Sequence, residues 1–329
     1  MAPRRFDRLP TERANPASAR LDRMTPLAVA RLMNREDRRA VAAVGREASS
    51  IARAVDLIAE ALERGGRLFF VGAGTSGRLG VLEAAECPPT FGTSPRTVQA
   101  LMAGGRTSVF RSREGVEDDA RAARRAIDAR VNRGDVVVGI SASGVTPFVA
   151  AALARATRRG ARTILVSCNP AAGGPRRATG SPGRAERLGV WGPYRGPHYD
   201  IVIAPSPGPE VLTGSTRLKA GTATKLVLNT LTLASMARLG KVYGNRMIDV
   251  QPRSAKLRDR ARRLVRDLGR VSTARAAALL TAAGGSVRVA IVMAHTGVSA
   301  AAAARALHDA GGVLGDVVQA SGKVVHTRR

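Results

Sequence analysis

Two short stretches place hydroxyls and glycines directly after apolar runs. In "FFVGAGTSGRLG" (69–80), Thr75, Ser76, Gly77 and Arg78 follow such a run, and in "GISASGVTPF" (139–148), Ser141, Ser143, Gly144 and Thr146 do the same. Gly72, Gly74 and Gly77 have the spacing of a dinucleotide-binding loop. That use requires an acid at the end of the next strand, and "TVQALMAGG" ends in Ala103, Gly104 and Gly105 instead. Hydroxyls beside a helix start suit a single phosphate, held by side chains and backbone N–H groups at the positive end of the helix dipole. In the first stretch that helix is expected from Gly77, and in the second from Pro147. Either loop alone reads equally well as a Gly/Ser turn; two on one sheet point to a phosphate ester.

Carboxylates come next. Glu86 lies in "LEAAECPPTFG", where Pro88 and Pro89 are expected to end the helix and leave the acid near the carboxyl edge of the sheet. Glu114, Glu117, Asp118 and Asp119 cluster in "REGVEDD" at the start of another helix, where acids also serve as caps. A carboxylate pair from separate elements beside a phosphate site can remove one proton and donate another. "GPEVLTGSTRLKAGTATKLVLN" adds Glu210, Ser215, Arg217 and Lys219 in the turn before a long helix, as possible contacts to a sugar. The histidines (His198, His295, His308 and His326) have no ligand spacing, so no metal site is expected, and no G-x-S-x-G elbow supports a serine triad.

The elements that would position these groups are legible as punctuation. Thr25-Pro26 is a hydroxyl cap followed by proline at the first helical position, and in "IARAVDLIAEALERGG" Ile51, Val55, Ile58 and Leu62 share one face before Gly65-Gly66. Between 65 and 240, apolar runs too short for helices ("RLFFVGAG", "TVQALMAGG", "DVVVGISAS", "RTILVSCNP", "YDIVIAPSP") alternate with helical patterns. Runs that are continuous rather than alternating predict parallel strands covered on both faces, with ligands at their carboxyl ends. The expected division is an N-terminal arm over 1–24 that orders only against something else, an α/β domain over 25–252, and a helical domain over 253–329. A basic Gly/Pro-rich excursion over 171–199, holding Trp191, interrupts the α/β domain.

Composition narrows the partners. The 53 Lys and Arg against 25 Asp and Glu give a net charge of +28, which would suit nucleic acid, an anionic membrane or an acidic metabolite. The arginines are spread along the chain, often beside acids, and aromatics for base stacking are only 3%, which disfavours nucleic acid. No long charge-free apolar run or signal segment is present, and Cys87 and Cys168 are not paired by spacing, so a reduced cytoplasmic setting is expected.

Taken together, "VGAGTSGRLGVLEAAECPPTFG", "EGVEDD", "DVVVGISASGVTP", "SCNP", "GPEVLTGSTRLKAGTATKLVLN" and "GKVYGN" resemble the N-acetylmuramic acid 6-phosphate etherases, a sugar isomerase (SIS) domain family of peptidoglycan recycling. The resemblance runs from "LPTERANPAS" to the helical tail, sparing chiefly 171–199. It implies a three-layer α/β/α domain with a central parallel sheet, a small C-terminal helical domain, and a homodimer whose sites draw on both subunits. It also implies cofactor-free cleavage of the D-lactyl ether of N-acetylmuramic acid 6-phosphate to N-acetylglucosamine 6-phosphate and D-lactate. The family's two catalytic acids fall on Glu86 and Glu117, with Glu83 a neighbour, and Ser76, Ser141, Ser143 and Thr146 would hold the phosphate. Val145 stands where the family usually has Arg, and Phe148 where it has Tyr. Two other readings share the fold: a non-catalytic phosphosugar sensor, and an aldose–ketose isomerase that needs no acid at C3.

Overall fold

The computed structural model describes residues 9–170, 199–250 and 254–320; most of the 171–199 excursion, with Trp191, lies outside them. Three 3₁₀ turns (Pro10–Glu12, Pro16–Ser18, Leu21–Arg23) precede α1 (Pro26–Gly45) and α2 (Ala48–Glu63). The Thr25 hydroxyl accepts from the Ala28 N–H with Pro26 at the first helical position, the cap that the sequence predicts. Then follow β1 (Leu68–Gly72), α3 (Gly74–Phe91), β2 (Val98–Met102), the short α4 (Thr107–Phe110), a 3₁₀ turn (Val116–Asp118) and α5 (Ala120–Arg130). After these come β3 (Val136–Ile140), α6 (Pro147–Arg158), β4 (Arg162–Val166), β5 (Ile201–Ile203) and α7 (Lys219–Arg238). The small hairpin strands β6 (Val242–Tyr243) and β7 (Arg246–Met247) lead into five helices. These are α8 (Ala255–Gly269), α9 (Thr273–Ala282), α10 (Val287–Thr296), α11 (Ala300–Asp309) and α12 (Leu314–Ala320).

By compactness the chain divides into one unit of Met1–Ala84 with Arg96–Thr232 and another of Ala85–Pro95 with Leu233–Arg329, so α3 and α7 contribute to both. The division by sequence pattern had put the break after 252, at the end of the hairpin.

The first unit holds a five-stranded parallel sheet in the order β2-β1-β3-β4-β5, all five strands falling in the runs read as strands. β1 and β3 are buried along their whole length, which explains why their sequences do not alternate. Phe69, Val71 and Val137 pack on one face with Ile127 of α5 and with Phe148 and Leu153 of α6. Phe70 faces the other way, where Gly80 of α3 lies so close that a Cβ there would be 2.8 Å from Phe70 Cβ. Helices therefore cover both faces. The second unit is built on Ile248, Val265, Ala276, Ile291, Val292, Ala303 and Leu314, all at most 1% exposed, from the hairpin's exit and the five C-terminal helices.

Two boundaries differ from expectation. α3 opens at Gly74, not Gly77, and it passes through Pro88 and Pro89 to Phe91. Each proline removes one ladder donor, but Cys87 and Phe91, one turn apart, are both buried, and the Gly92 N–H closes the last turn on the Pro88 carbonyl at 3.0 Å. Packing outweighs the local penalty there.

The amino edge of the sheet is stapled by charge. Asp135 accepts from the Arg67 N–H (2.9 Å), the Arg67 guanidinium (2.7 Å) and the Asn132 N–H (2.8 Å). Asp200 accepts from the Thr163 N–H at 2.7 Å and pairs with Arg162 at 2.9 Å.

At the carboxyl edge the constraint is steric. A Cβ on Gly77 would meet the Gly72 carbonyl oxygen at 2.7 Å and Met102 Cγ at 3.0 Å, whereas one on Gly45 would meet nothing within 4 Å. Gly77→Ala should therefore lower stability by roughly 1–3 kcal/mol through overpacking, read as a depressed melting temperature, with Gly45→Ala as a near-neutral control. Equal melting temperatures for the two variants would contradict this account of the β1–α3 junction.

Candidate functional site

β1 connects towards β2 on one side of the sheet and β3 lies on its other side, so the order reverses between β1 and β3. In open α/β sheets the crevice beyond the strands' carboxyl ends at such a reversal is where ligands bind. Both hydroxyl loops leave the sheet there: 73–78 after β1 and 141–146 after β3.

In the first loop, Gly74 takes a left-handed φ of +53°, letting α3 begin two residues after the strand. Thr75 and Ser76 are half-buried in the first turn of the helix, where the orphan N–H groups and the dipole favour an anion. Gly77 is buried against Gly72 and serves the close approach.

Arg78, expected among the substrate contacts, is half-buried and already bonded within the fold. Its guanidinium donates to the carbonyls of Val109 (2.8 Å) and Ser108 (2.9 Å), so it ties α3 to the end of α4.

The second loop is braced from within. The Ser141 and Thr146 hydroxyls are 2.7 Å apart, and Ser141 Oγ also accepts from the Gly144 N–H at 3.1 Å. Gly144 has φ +76°, and Ser143 Oγ accepts from the Val145 N–H at 3.4 Å. Ser141 is thus an organiser, only 3% exposed, while Ser143, Gly144 and Thr146 are half-buried. Thr146 is the N-cap of α6 but makes no side-chain cap bond, and Pro147 has no N–H to offer. The first-turn amides of α6 stay available to an anion. Asn169, which sequence reasoning did not single out within "SCNP", donates through Nδ2 to the Ser143 carbonyl at 3.0 Å. An asparagine at the end of the fourth strand was the only signal.

Glu210 and Lys219, read as sugar contacts, are 1% and 0% exposed. The Glu210 carboxylate accepts from the N–H groups of Lys219 (2.9 Å) and Ala220 (2.8 Å), capping α7. The Lys219 ammonium donates to Glu36 (2.6 Å) and to the Pro209 carbonyl (2.8 Å). Both are committed internally; Ser215, beside them, is half-buried. Glu36 had no sequence signal, being one acid within a charged helix.

Burial works against the Glu36 carboxylate, but hydrogen bonds from Lys219 and Asn15 and the charges of Lys219 and Arg39 outweigh it and hold its pKa below the ordinary value. Glu210 goes the other way: burial raises its pKa against the helix N–H groups and Lys219. Burial also pushes the Cys168 thiol up to about 12, helped by the Glu210 charge, so it stays protonated at neutral pH.

The carboxylates of the proposed chemistry lie elsewhere. Glu117 is exposed in the 3₁₀ turn before α5, and neighbouring Asp119 is that helix's cap, accepting from Ala122 N–H at 2.8 Å. Glu86 is exposed and lies about 18 Å along the α3 axis from Gly74, at about 1.5 Å per residue. It therefore does not share the helix start with Thr75 and Ser76, contrary to the expectation that the prolines would leave it at the carboxyl edge. Glu83, one turn earlier, is buried and accepts from Lys225 Nζ (2.6 Å) and Thr232 Oγ1 (2.8 Å), with Asn229 also bonded to Lys225, so it joins α3 to α7.

Among the described residues no cluster of three or more His, Cys, Asp or Glu could hold a metal ion, and no single helix is long and apolar enough to cross a membrane. His295 is buried and bonded to the Leu268 carbonyl at 2.8 Å.

A parallel sheet with hydroxyl-and-glycine loops at its switch point defines a sugar isomerase type of phosphosugar domain. Residues 50–157 match the model of the glucokinase regulatory protein N-terminal SIS domain. Across nearly the whole chain, the similarity is to N-acetylmuramic acid 6-phosphate etherases. That of Gloeobacter violaceus is 50% identical over 93% of this chain and 94% of its own. That of Symbiobacterium thermophilum is 49% identical over 89% and 91%, and that of Synechocystis sp. 45% over 94% and 95%. The chain belongs to the N-acetylmuramic acid 6-phosphate etherase family.

Lys219→Met would leave Glu36 buried without its main counter-charge and should cost roughly 3–5 kcal/mol, most of it recovered in the Glu36→Met/Lys219→Met double variant. Urea denaturation of the three variants measures this. Because Glu36 ionises more easily folded than unfolded, its contribution is present above pH 4.5 and lost as pH falls through the lowered value. Glu36→Gln should therefore flatten the fall in stability below pH 4.5; an unchanged acid limb would show that the pair is not coupled to titration.

Proposed function

We propose that the protein cleaves the D-lactyl ether of N-acetylmuramic acid 6-phosphate, giving N-acetylglucosamine 6-phosphate and D-lactate, in the recycling of peptidoglycan sugars. The observation that carries this reading is a pair of phosphate-sized loops at the switch point of a chain half identical to etherases along its length. In the open-chain sugar the C2 proton is acidified by the C1 aldehyde. Glu117 takes that proton, the electron pair forms the C2–C3 double bond, and the C3–O bond breaks as Glu86 protonates the departing lactate oxygen. Water then adds across the double bond, its hydroxyl to C3 and a proton to C2. The sequence is redox-neutral, so the proposal calls for no electron carrier.

Thr75, Ser76, Ser143 and Thr146, with the first-turn amides of α3 and α6, would bind the 6-phosphate. Ser141 and Asn169 keep the second loop in shape. Glu86 and Glu117 are exposed in the single chain. Glu86 stands about 18 Å along α3 from the helix start that would hold the 6-phosphate, too far to reach C3 of the same sugar. We therefore read the working form as a homodimer in which Glu86 of a second copy completes the site. That copy and the bound phosphosugar would also supply the desolvation that raises a general acid's pKa. The net charge of +28 favours encounter with a substrate carrying a phosphate and a carboxylate. We place the reaction in the cytoplasm.

The test is a D-lactate assay with N-acetylmuramic acid 6-phosphate. Wild type should release lactate, and Glu86→Gln and Glu117→Gln should each lower kcat by about 10²–10⁴-fold, the range for loss of a general acid or base. Phosphosugar binding without lactate would move the protein to the sensors, and a ketose product to the isomerases. Restoring the family's charge with Val145→Arg should tighten substrate binding by about 1–3 kcal/mol, seen as a lower KM, if the guanidinium reaches the phosphate.

A further inference from the structure

The segment "LPTERANPAS", read from sequence as an arm without a fold of its own, is seated in the first unit: Leu9, Thr11 and Asn15 are 3%, 3% and 4% exposed. Its polar contacts converge on the turn before α7. The Gly214 N–H donates to the Thr11 carbonyl at 3.1 Å. Asn15 Nδ2 donates to Glu36 Oε2 at 2.9 Å and to the Pro209 carbonyl at 3.2 Å. Those same two acceptors take the Lys219 ammonium, at 2.6 and 2.8 Å. Asn15 and Lys219 thus close a ring of four bonds through one carboxylate oxygen and one backbone carbonyl, and Asn15 does so without adding a buried charge. Its own carbonyl oxygen accepts from the Ala17 N–H at 3.0 Å, so every polar atom of its amide is used.

What this ring holds in place is the start of α7, against which both hydroxyl loops rest. Ala220 and Ala223 pack with Ala142, inside the second loop, and with Cys168. A Cβ on Gly221 would lie 3.8 Å from Thr75 Cγ2, in the first loop.

We infer that residues 9–15 are a positioning clamp for the phosphosugar site, with Asn15 as its key: the clamp fixes the 208–219 turn, the turn fixes the start of α7, and α7 sets the spacing of the loops at Thr75 and Ala142. The inference rests on reading those loops as the phosphate site. Asn15 touches no substrate, and its effect is carried by geometry alone. A displaced phosphate loop weakens the grip on the sugar in the ground state and the transition state together. The signature is thus a raised KM with kcat little changed.

The experiment uses the full-length chain with Asn15→Ala, and with Asn15→Ser, which retains a shorter hydroxyl donor. Hydrogen exchange is followed in peptides covering 206–221, 73–78 and 141–147, with 131–136 at the amino edge as reference, beside kinetics with N-acetylmuramic acid 6-phosphate. Expected for Asn15→Ala are exchange faster by about tenfold in the turn and in both loops but not in the reference, and a KM raised about tenfold with kcat within about twofold. Asn15→Ser should be intermediate, and it carries the test should the alanine variant not fold. Faster exchange confined to 9–15, with KM unchanged, would overturn the inference. If wild type released no lactate, the etherase reading would fall, while the exchange in the two loops would still decide whether the clamp exists.

Discussion

The contact between Gly72 and Gly77 is the constraint on which the site depends. With side chains absent from both, the first turn of α3 settles onto the end of β1, a Cβ at either position falling 2.7 Å from backbone atoms of the other. This seating brings the orphan amides of α3 to the carboxyl edge of the sheet, next to the loop leaving β3. Gly80 against Phe70 continues the same close packing one turn later. An anion site made largely of backbone needs this proximity, because amides cannot reach outward as long side chains can.

Charge is used differently at the two ends of the sheet. At the amino edge, Arg67 with Asp135 and Arg162 with Asp200 satisfy strand ends directly. At the carboxyl edge, charges are withdrawn from the loops: Arg78 goes to carbonyls of α4, Glu210 to the amides of α7, and Lys219 to Glu36. Thr75, Ser76, Ser143 and Thr146, in the two loops, stay half-buried. A buried ion pair gains little over apolar packing of the same volume, so what Lys219 and Glu36 contribute is better understood as a fixed helix start than as net stability. Positive charge also lies on exposed helix faces such as that of α1, where Arg31, Arg35 and Arg38 are open to solvent.

Much of the fold was legible because it is local. The five strands announced themselves as short continuous apolar runs, and the helix starts at Thr25-Pro26 and at Pro147 as residue types suited to the first turn. The two hydroxyl loops were legible as a pair: glycine, serine and threonine after one strand make an ordinary turn, but the same pattern after two strands of one sheet has few other uses. The prolines in α3 misled because a local rule was applied where Cys87 and Phe91 pack, and burial of two apolar side chains exceeds the loss of two ladder bonds. For Arg78, Glu210 and Lys219 polar type was legible but direction was not: each has a backbone or carboxylate partner inside the fold.

By itself, then, the sequence determined the parallel α/β architecture, the two hydroxyl-and-glycine loops and the family, since each rests on residue types in a short, ordered pattern. Only the tertiary structure decided which polar side chains face the crevice and which brace it. That depends on partners far away in the chain: Asn15 and Glu36 meet Pro209 and Lys219 across more than 180 residues, and no local pattern encodes which of many polar residues will meet there.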